Sequence, residues 1–245
     1  MNVLSIGNSF SADAQKWLHC LAKDNDVNIE TANLFIGGCS LKTHWQNFEA
    51  NEVAYAFEIN GNNAENSISI IDALRLKNWD VVTIQQASNY SGMYETYEPY
   101  ISSLIAEIKK EQPNAKIYFH ETWAYETDST HSGFANYDND QEKMFKSILN
   151  ACEIVKNNFG IKVIPSGEVI QSIRENIAEF DYKNGGLSLC RDGFHMSLDY
   201  GRFAVAATWF CTLTGKKLLL KPFNDFDVAL TSKIIELVNN KLVII

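Results

Sequence analysis

The sequence lacks the features that would place it in a specialised class of protein. It has only five cysteines, an odd number without a CxxC pair. A disulfide framework or a zinc site is therefore not expected, and we interpret the cysteines as free thiols in a reducing compartment. No apolar run approaches the roughly 18 residues that a membrane-spanning helix needs, which argues against a membrane protein.

Basic residues are also scarce. Lys and Arg number 21 against 30 Asp and Glu, which gives a formal net charge of −9. Nucleic acids and anionic membranes bind clustered Lys and Arg, so this balance argues against both as partners. The N-terminus lacks the basic start of a signal peptide, which predicts a cytoplasmic protein if the sequence begins at its native start. A secreted protein trimmed of its leader would have the same sequence.

Short apolar runs alternate with helical stretches along the chain. Strands separated by helices of this length form parallel sheets that are covered on both faces. We find no repeat, low-complexity tract or linker. The sequence therefore predicts one α/β domain over residues 1–245, with a parallel sheet of about five strands. The predicted strands are residues 1–6, 27–34, 80–85, 116–120 and 161–165.

The first predicted strand ends in Gly7, Asn8 and Ser9, and helical apolar spacing follows over residues 10–21. Ser9 is thus expected between the carboxyl end of a strand and the positive end of a helix. Ligands bind there in open α/β sheets, and backbone N–H groups favour developing negative charge. Serine is also a leading N-cap residue, so this turn alone leaves open that Ser9 only caps the helix. Ser11, one step further on, is a rival nucleophile.

A second turn near the C-terminus carries Asp192 and His195, three residues apart and followed by a helix. Parallel strands deliver their exit loops to one edge, so this turn and Ser9 can meet. An Asp at this spacing can hold His195 in the tautomer whose Nε2 accepts a proton from serine. Activation of a serine hydroxyl, which is a poor nucleophile by itself, requires such a pair.

Four blocks in this order resemble the SGNH hydrolases, also called GDSL-type esterases and lipases. The Gly7-Asn8-Ser9 turn matches the first block, which normally reads Gly-Asp-Ser. The stretch 33–38 matches the second block and selects Gly38 as its glycine. The stretch 80–89 matches the third block, and the Asp192–His195 pair matches the fourth. The resemblance spans residues 3 to about 210. It implies a three-layer α/β/α, flavodoxin-like fold for the whole domain.

The third block departs most from the SGNH pattern. Asn89 is in register with the family asparagine, but Ala87 and Ser88 replace the usual glycine context and Tyr90 replaces an aspartate. Gln86 lies nearer the strand end, where related carbohydrate-ester members of the superfamily have a similarly placed glutamine. Both Gln86 and Asn89 are therefore candidates for the amide of an oxyanion hole, with Gln86 slightly favoured.

The resemblance implies acyl transfer. Ser9 would attack an ester carbonyl, His195 would take the serine proton, and Asp192 would orient the imidazole. The backbone N–H groups of Ser9 and Gly38, with one side-chain amide, would bind the oxyanion. No metal or organic cofactor is implied.

The leading hypothesis is a serine esterase that removes a small acyl group, such as acetyl, from a carbohydrate or related metabolite. Aromatic residues at strand ends suit stacking on sugars, so Trp45, Trp123 and Tyr125 are candidates for the substrate pocket. We interpret His120 and His131 as structural or solvated. The departures from the SGNH pattern leave open a non-catalytic sugar- or phosphate-binding domain on the same scaffold. An acyltransferase with the same triad is the third hypothesis.

Overall fold

The structure is a computed structural model that describes residues 1–62 and 66–243. In these residues seven strands form a single sheet. The strands are β1 (Asn2–Gly7), β2 (Glu30–Phe35), β3 (Tyr55–Ile59), β4 (Ser67–Ile68), β5 (Val81–Ile84), β6 (Lys116–Glu121) and β7 (Lys162–Pro165). Their spatial order is β4-β3-β2-β1-β5-β6-β7.

Five neighbouring strands of this sheet are parallel, as predicted: β2, β1, β5, β6 and β7. β3 and β4 extend this sheet in antiparallel fashion beyond β2. Residues 67–68 pair with β3, and the helix that follows begins after Ser69. The Ser69 hydroxyl accepts the backbone N–H of Asp72 at 3.1 Å and so caps this helix.

Helices cover both faces of the sheet, which confirms the α/β/α layers. The helices are α1 (Ser9–Gln15), α2 (Leu18–Asp24), α3 (Leu41–Glu49), α4 (Ile70–Arg75), α5 (Tyr100–Glu111), α6 (Gln141–Phe159), α7 (Ser166–Asn176), α8 (Tyr200–Thr214) and α9 (Val228–Leu242). On one face α8 is buried nearly all round and packs against α1, α2, α7 and α9. On the other face α3, α4 and α5 pack together, and α6 packs against β6 and β7.

The sequence predicted that the chain has no membrane-spanning helix and that its cysteines are free thiols. Within residues 1–62 and 66–243, no helix combines the length and the apolar character needed to cross a membrane. All five cysteines are free thiols, and only Cys20 is exposed. The other four pack as small apolar residues, and burial raises the pKa of the Cys39 thiol to about 12.

Candidate active site

The turn after β1 is shaped by a glycine and an asparagine. A Cβ on Gly7 would lie 2.0 Å from Ser11 Oγ, so no other residue fits there without a shift. Asn8 is the N-cap of α1, and its Oδ1 accepts the backbone N–H of Phe10 at 3.0 Å. Ser9 is therefore not the cap but the first residue of the helix, and its hydroxyl is free for chemistry.

Ser11, the rival nucleophile, is buried inside this cap. Its Oγ accepts the backbone N–H of Asn8 at 3.0 Å and lies 2.7 Å from Asn33 Oδ1. It has no solvent-exposed surface. Ser11 closes the capping box of α1 and is not available to a substrate.

Ser9, His195 and Asp192 form one hydrogen-bonded chain. His195 Nε2 lies 2.9 Å from Ser9 Oγ, and His195 Nδ1 lies 2.7 Å from Asp192 Oδ2. Because a carboxylate only accepts, Nδ1 carries the proton, and the Nε2 lone pair faces the serine hydroxyl. Burial alone would raise the pKa of Asp192, but hydrogen bonds from the His195 side chain and backbone outweigh it and lower that pKa. The carboxylate therefore stays ionised beside the imidazole.

The base loop, residues 191–196, is held in shape by its own backbone. The N–H of Arg191 donates to the carbonyl of His195 at 2.9 Å, and Asp192 Oδ1 accepts the N–H groups of Phe194 and His195 at 3.2 and 2.8 Å. Gly193 has φ +83°, a conformation that suits glycine. The spacing of Asp192 and His195 thus reflects one tight turn.

Asp13 anchors the base loop from below. Its carboxylate is 1% exposed and accepts the backbone N–H of Met196 at 2.9 Å. It also binds the guanidinium groups of Arg191 at 3.0 Å and Arg202 at 2.7 Å. The sequence analysis missed this residue. The sequence does contain an indication of this role. Asp13 lies on the apolar face of α1, one turn after Ser9, and a buried carboxylate needs a cationic partner.

Trp123 does not line a substrate pocket, because its side chain is 0% exposed. It stacks on Phe10 with ring centroids 4.2 Å apart, and its Nε1–H donates to the carbonyl of Phe194 at 2.7 Å. Phe10 follows Ser9 and Phe194 precedes His195. Trp123 therefore sets the distance between the two halves of the hydrogen-bonded chain, and the prediction of substrate contact was wrong.

Tyr125 is also 0% exposed, so its predicted contact with substrate is wrong as well. Its hydroxyl lies 2.7 Å from Ser88 Oγ, and its ring packs 5.6 Å from that of Phe194. Trp45 is half-buried and stacks on Phe48 at 5.6 Å within α3. The aromatic residues chosen from the sequence are thus mainly supports behind the site.

The backbone N–H groups of Ser9 and Gly38 are the two main-chain candidates for an oxyanion hole. The N–H of Ser9 opens α1 and has no acceptor inside the helix. Gly38 follows β2 in a turn closed by a 3.2 Å bond from the Cys39 N–H to the Ile36 carbonyl, with φ +63° at Gly38. Neither N–H makes a hydrogen bond within residues 1–62 and 66–243. Unpaired backbone N–H groups of this kind are the donors that an oxyanion hole uses, so both remain candidates for that role.

Gln86 is the amide that the sequence slightly favoured, and its hydrogen-bonding groups are already used. Its Oε1 accepts the backbone N–H groups of Leu41 at 3.0 Å and Ala87 at 2.8 Å. Its Nε2 donates to the carbonyl and hydroxyl oxygens of Thr96 at 3.2 and 3.0 Å. Gln86 ties the β5 exit to α3 and has no free N–H to offer, which contradicts that preference.

Asn89 has the opposite character. Its side-chain amide makes no hydrogen bond with any described residue, while its carbonyl accepts from Asn136 Nδ2 at 2.9 Å. Gly133 leaves room for it, since a Cβ there would lie 2.3 Å from Asn89 Cβ. The backbone of Asn89 is held and its amide is free, so Asn89 is the amide candidate for an oxyanion hole that this loop retains.

Comparison with known proteins gives the family. A model of a domain of unknown function, DUF4886, matches residues 2–240. The chain belongs to the DUF4886 family. The crystal structure of a DUF4886 family protein from Bacteroides uniformis is 37% identical to it, with a TM-score of 0.90 over 98% of this chain and 93% of that chain. Comparison with curated proteins gives no match.

The fold of this DUF4886 chain is shared with hydrolases of low sequence identity. A candidate SGNH hydrolase from Slackia heliotrinireducens is 19% identical over 87% of this chain and 98% of that chain, with a TM-score of 0.58. An acetylxylan esterase from Geobacillus stearothermophilus is 13% identical over 85% of this chain and 91% of that chain, with a TM-score of 0.54. At these identities the similarity establishes the α/β/α fold.

Beneath Ser9 of this DUF4886 chain runs a buried polar relay that the sequence analysis did not find. Gln85 Nε2 donates to Asn8 Oδ1 at 2.6 Å, and Gln85 Oε1 lies 2.7 Å from His120 Nδ1. His120 Nε2 lies 3.0 Å from Ser166 Oγ. Burial lowers the pKa of His120 to about 3, so it is neutral and structural, in agreement with the interpretation from sequence. The relay fixes the cap that orients Ser9.

Cavity size does not locate this site. A cleft of about 1060 Å³ lies between α6 and β7, with Glu121 and Cys152 among its lining residues. Ser9 and His195 are half-buried and do not line it. Among the residues that the structure describes, no group of three His, Cys, Asp or Glu is arranged to hold a metal ion. The candidate site rests on the geometry around Ser9.

Proposed function

We propose that this protein is a serine esterase that hydrolyses small acyl esters through Ser9, His195 and Asp192. The observation that carries the proposal is the unbroken chain from Ser9 Oγ to His195 Nε2, at 2.9 Å, and from His195 Nδ1 to Asp192, at 2.7 Å. These distances lie within the reach needed for proton transfer from an attacking hydroxyl. A serine that only capped a helix would not need this alignment.

The chemistry takes two half-reactions. Ser9 Oγ attacks the ester carbonyl and passes its proton to His195 Nε2, while the N–H groups of Ser9 and Gly38 and the Asn89 amide bind the oxyanion. Collapse of the tetrahedral intermediate releases the alcohol, which takes the proton from His195. Water then attacks the acyl-serine by the same route, gives its proton to His195, and the carboxylic acid leaves as Ser9 regains its proton.

We place acetyl esters of carbohydrates first among the substrates. The shared fold of the acetylxylan esterase from Geobacillus stearothermophilus supports this choice at the level of analogy. The two aromatic residues that the sequence analysis offered as further support, Trp123 and Tyr125, are fully buried and no longer contribute to it.

The test is hydrolysis of p-nitrophenyl acetate by the wild type and by Ser9→Ala. Loss of a triad nucleophile is expected to lower kcat by about 10⁴-fold or more. The matched control is Ser102→Ala, because this hydroxyl bonds only to Glu98 and Pro99 on the surface. Equal turnover by wild type and Ser9→Ala would refute the proposal.

Mass spectrometry after reaction with a fluorophosphonate probe separates the esterase from a non-catalytic binding domain. An activated serine is expected to give one adduct per chain, on the peptide that contains Ser9. A wild-type protein that stays unlabelled would favour the binding domain, because an unactivated serine reacts poorly.

A further inference from the structure

Asn8 joins the two turns that carry the main-chain candidates for the oxyanion hole. It is 1% exposed and immediately precedes Ser9 at the start of α1. Its Oδ1 accepts the backbone N–H of Phe10 at 3.0 Å, and its Nδ2 donates to the carbonyl of Cys39 at 3.1 Å. Cys39 follows Gly38. One buried side chain therefore bonds to the residue next to each candidate donor.

These two backbone groups fix the direction in which the Asn8 amide points. A backbone N–H only donates and a carbonyl only accepts, so Oδ1 faces Phe10 and Nδ2 faces Cys39. The Gln85 atom that lies 2.6 Å from Asn8 Oδ1 must then be a donor, which makes it Nε2. The orientations of both amides thus follow from their partners.

The protons are ordered along the rest of the relay as well. Gln85 Oε1 can only accept, so His120 Nδ1, 2.7 Å away, carries the proton of the imidazole. Burial lowers the pKa of His120 to about 3, so the ring is neutral and its Nε2 accepts a hydrogen bond from the Ser166 hydroxyl at 3.0 Å. A single direction of donation therefore runs from Ser166 to Asn8.

Asn8 makes more hydrogen bonds than an N-cap needs. Capping of α1 requires only the bond from the Phe10 N–H. The bond from Asn8 to the carbonyl of Cys39 does not involve the helix, and it fixes the Gly38 turn against the start of α1. Because Asn8 is sealed from solvent, it acts on a substrate only through the neighbouring backbone.

We propose that Asn8 is a positioning residue that aligns the N–H groups of Ser9 and Gly38 as one pair of oxyanion donors, with Gln85 and His120 fixing its amide from behind. This inference rests on the proposed esterase function. Two N–H groups stabilise an oxyanion fully only when both point to the place where its charge develops. Loss of this alignment therefore affects the transition state more than the bound ester.

Two substitutions separate positioning from capping. Asp and Ser are N-cap residues about as good as Asn, so Asn8→Asp and Asn8→Ser keep a side-chain oxygen for the Phe10 N–H. A carboxylate and a small hydroxyl both lack the amide N–H that donates to the carbonyl of Cys39. Asn8→Asp also keeps the shape and the acceptor for Gln85, whereas Asn8→Ser adds no charge. An effect that both variants share reports the lost connection to the Gly38 turn.

The experiment measures kcat and KM for p-nitrophenyl acetate and the inhibition constant, Ki, of phenylboronic acid. The Ser9 oxygen adds to boron and its proton passes to His195, which gives a tetrahedral boronate anion that resembles the transition state. A displaced donor costs less than the roughly 10²- to 10³-fold of a lost one. In both variants we therefore expect kcat to fall and Ki to rise by about 10-fold, with KM nearly unchanged.

Asp227→Asn is the matched control, because it exchanges the same two residue types at another N-cap. Asp227 caps α9, where its Oδ1 accepts the N–H of Leu230 at 3.0 Å. This variant keeps a capping oxygen and does not touch either turn of the candidate site, so kcat and Ki should equal those of the wild type.

A purely structural role of Asn8 gives a different result. Partial unfolding lowers the active fraction, so kcat and Tm fall, while Ki, which reports only the folded molecules, keeps its wild-type value. That result, or wild-type kcat in both variants, would overturn the inference. An effect in Asn8→Asp alone would reflect the added charge and would overturn it as well. A wild type that neither hydrolyses the ester nor binds phenylboronic acid would instead refute the proposed function.

Discussion

The two sides of Ser9 are built from different chemistry. On the side of the base loop the supports carry full charges, since Asp192 bonds to His195 and Asp13 binds two arginines. On the opposite side, which we call the oxyanion side, the groups around Gly38 and Asn89 are neutral amides and imidazoles. These groups are Asn8, Gln85, Gln86, His44 and His120.

This difference matches the charges that the proposed reaction creates. His195 becomes a cation in the transition state, and carboxylates stabilise it. The substrate oxygen becomes an anion, which N–H dipoles stabilise and a nearby carboxylate would oppose. Asn8, where the SGNH pattern has Asp, fits the neutral side. Its Nδ2 donates to the carbonyl of Cys39 at 3.1 Å, and a carboxylate could not do so.

Among the variants that test this contrast between the two sides, the largest effect is expected from removing a donor on the oxyanion side. Asn89→Ala is expected to lower kcat for p-nitrophenyl acetate by about 10²- to 10³-fold, because one oxyanion donor is lost. Its Tm should change little, since the Asn89 amide has no hydrogen-bond partner among the described residues. Steady-state kinetics and thermal unfolding measure the two quantities on the same protein.

Gln86→Ala is the matched contrast, since Gln86 is the other amide of this loop. Its loss leaves the N–H groups of Leu41 and Ala87 without their acceptor. We expect a fall of about 1–3 kcal/mol in the free energy of unfolding and a smaller loss of kcat than in Asn89→Ala. A larger loss of kcat in Gln86→Ala than in Asn89→Ala would instead favour Gln86 as the oxyanion donor.

The next effect comes from removing charge on the base side. Asp13→Asn keeps the shape but leaves Arg191 and Arg202 without a carboxylate. Breaking a buried ion pair costs about 3–5 kcal/mol, and because these arginines are 32% and 19% exposed we expect a loss of about 2–3 kcal/mol in unfolding free energy. Urea unfolding measures it. Arg75→Gln, which removes an exposed pair with Glu111, is the control and should cost under about 1 kcal/mol. Similar losses in both variants would mean that Asp13 is no anchor.

Much of this architecture could be predicted because it depends on local pattern. Buried parallel strands have continuous apolar runs, and their exit loops meet at one edge. These two facts, with the order of the motifs, predicted which strand exit loops carry Ser9, Gly38, Asn89 and the base loop. The hydrogen bonds between Ser9 and His195 and between His195 and Asp192 then agree with what those motifs imply.

The remainder depends on contacts between residues far apart in the chain. Gln86 and Asn89 are three positions apart in one loop, but only the contacts of Gln86 with Leu41 and Thr96 show that its amide is occupied. The sequence made Trp123 a candidate for stacking on a sugar, but in the structure its ring packs between Phe10 and the base loop. Side-chain direction at a strand end is set by this packing, which residue order does not specify.

The dependence of stability on pH tests whether the oxyanion side must stay neutral. His44 is fully buried behind the Gly38 turn, where Nδ1 lies 2.9 Å from the Tyr55 hydroxyl and burial lowers the pKa of His44 to about 3. An unfolded histidine titrates near pH 6.5, so between about pH 3 and 6.5 the unfolded chain binds a proton that the folded chain does not. Acidification through this window therefore lowers stability, by about 1.4 kcal/mol per pH unit for this one group.

In His44→Gln this contribution disappears, so urea unfolding between pH 4.5 and 6.5 should give a shallower dependence on pH than in the wild type. Glu121 acts with opposite sign, because burial raises its pKa to about 8 and the folded chain holds the extra proton between about pH 4.5 and 8. It is present in both proteins and cancels in the difference. Parallel slopes would mean that His44 accepts a proton in the folded state. The oxyanion side would then tolerate a full charge, and the contrast with the base side would no longer hold.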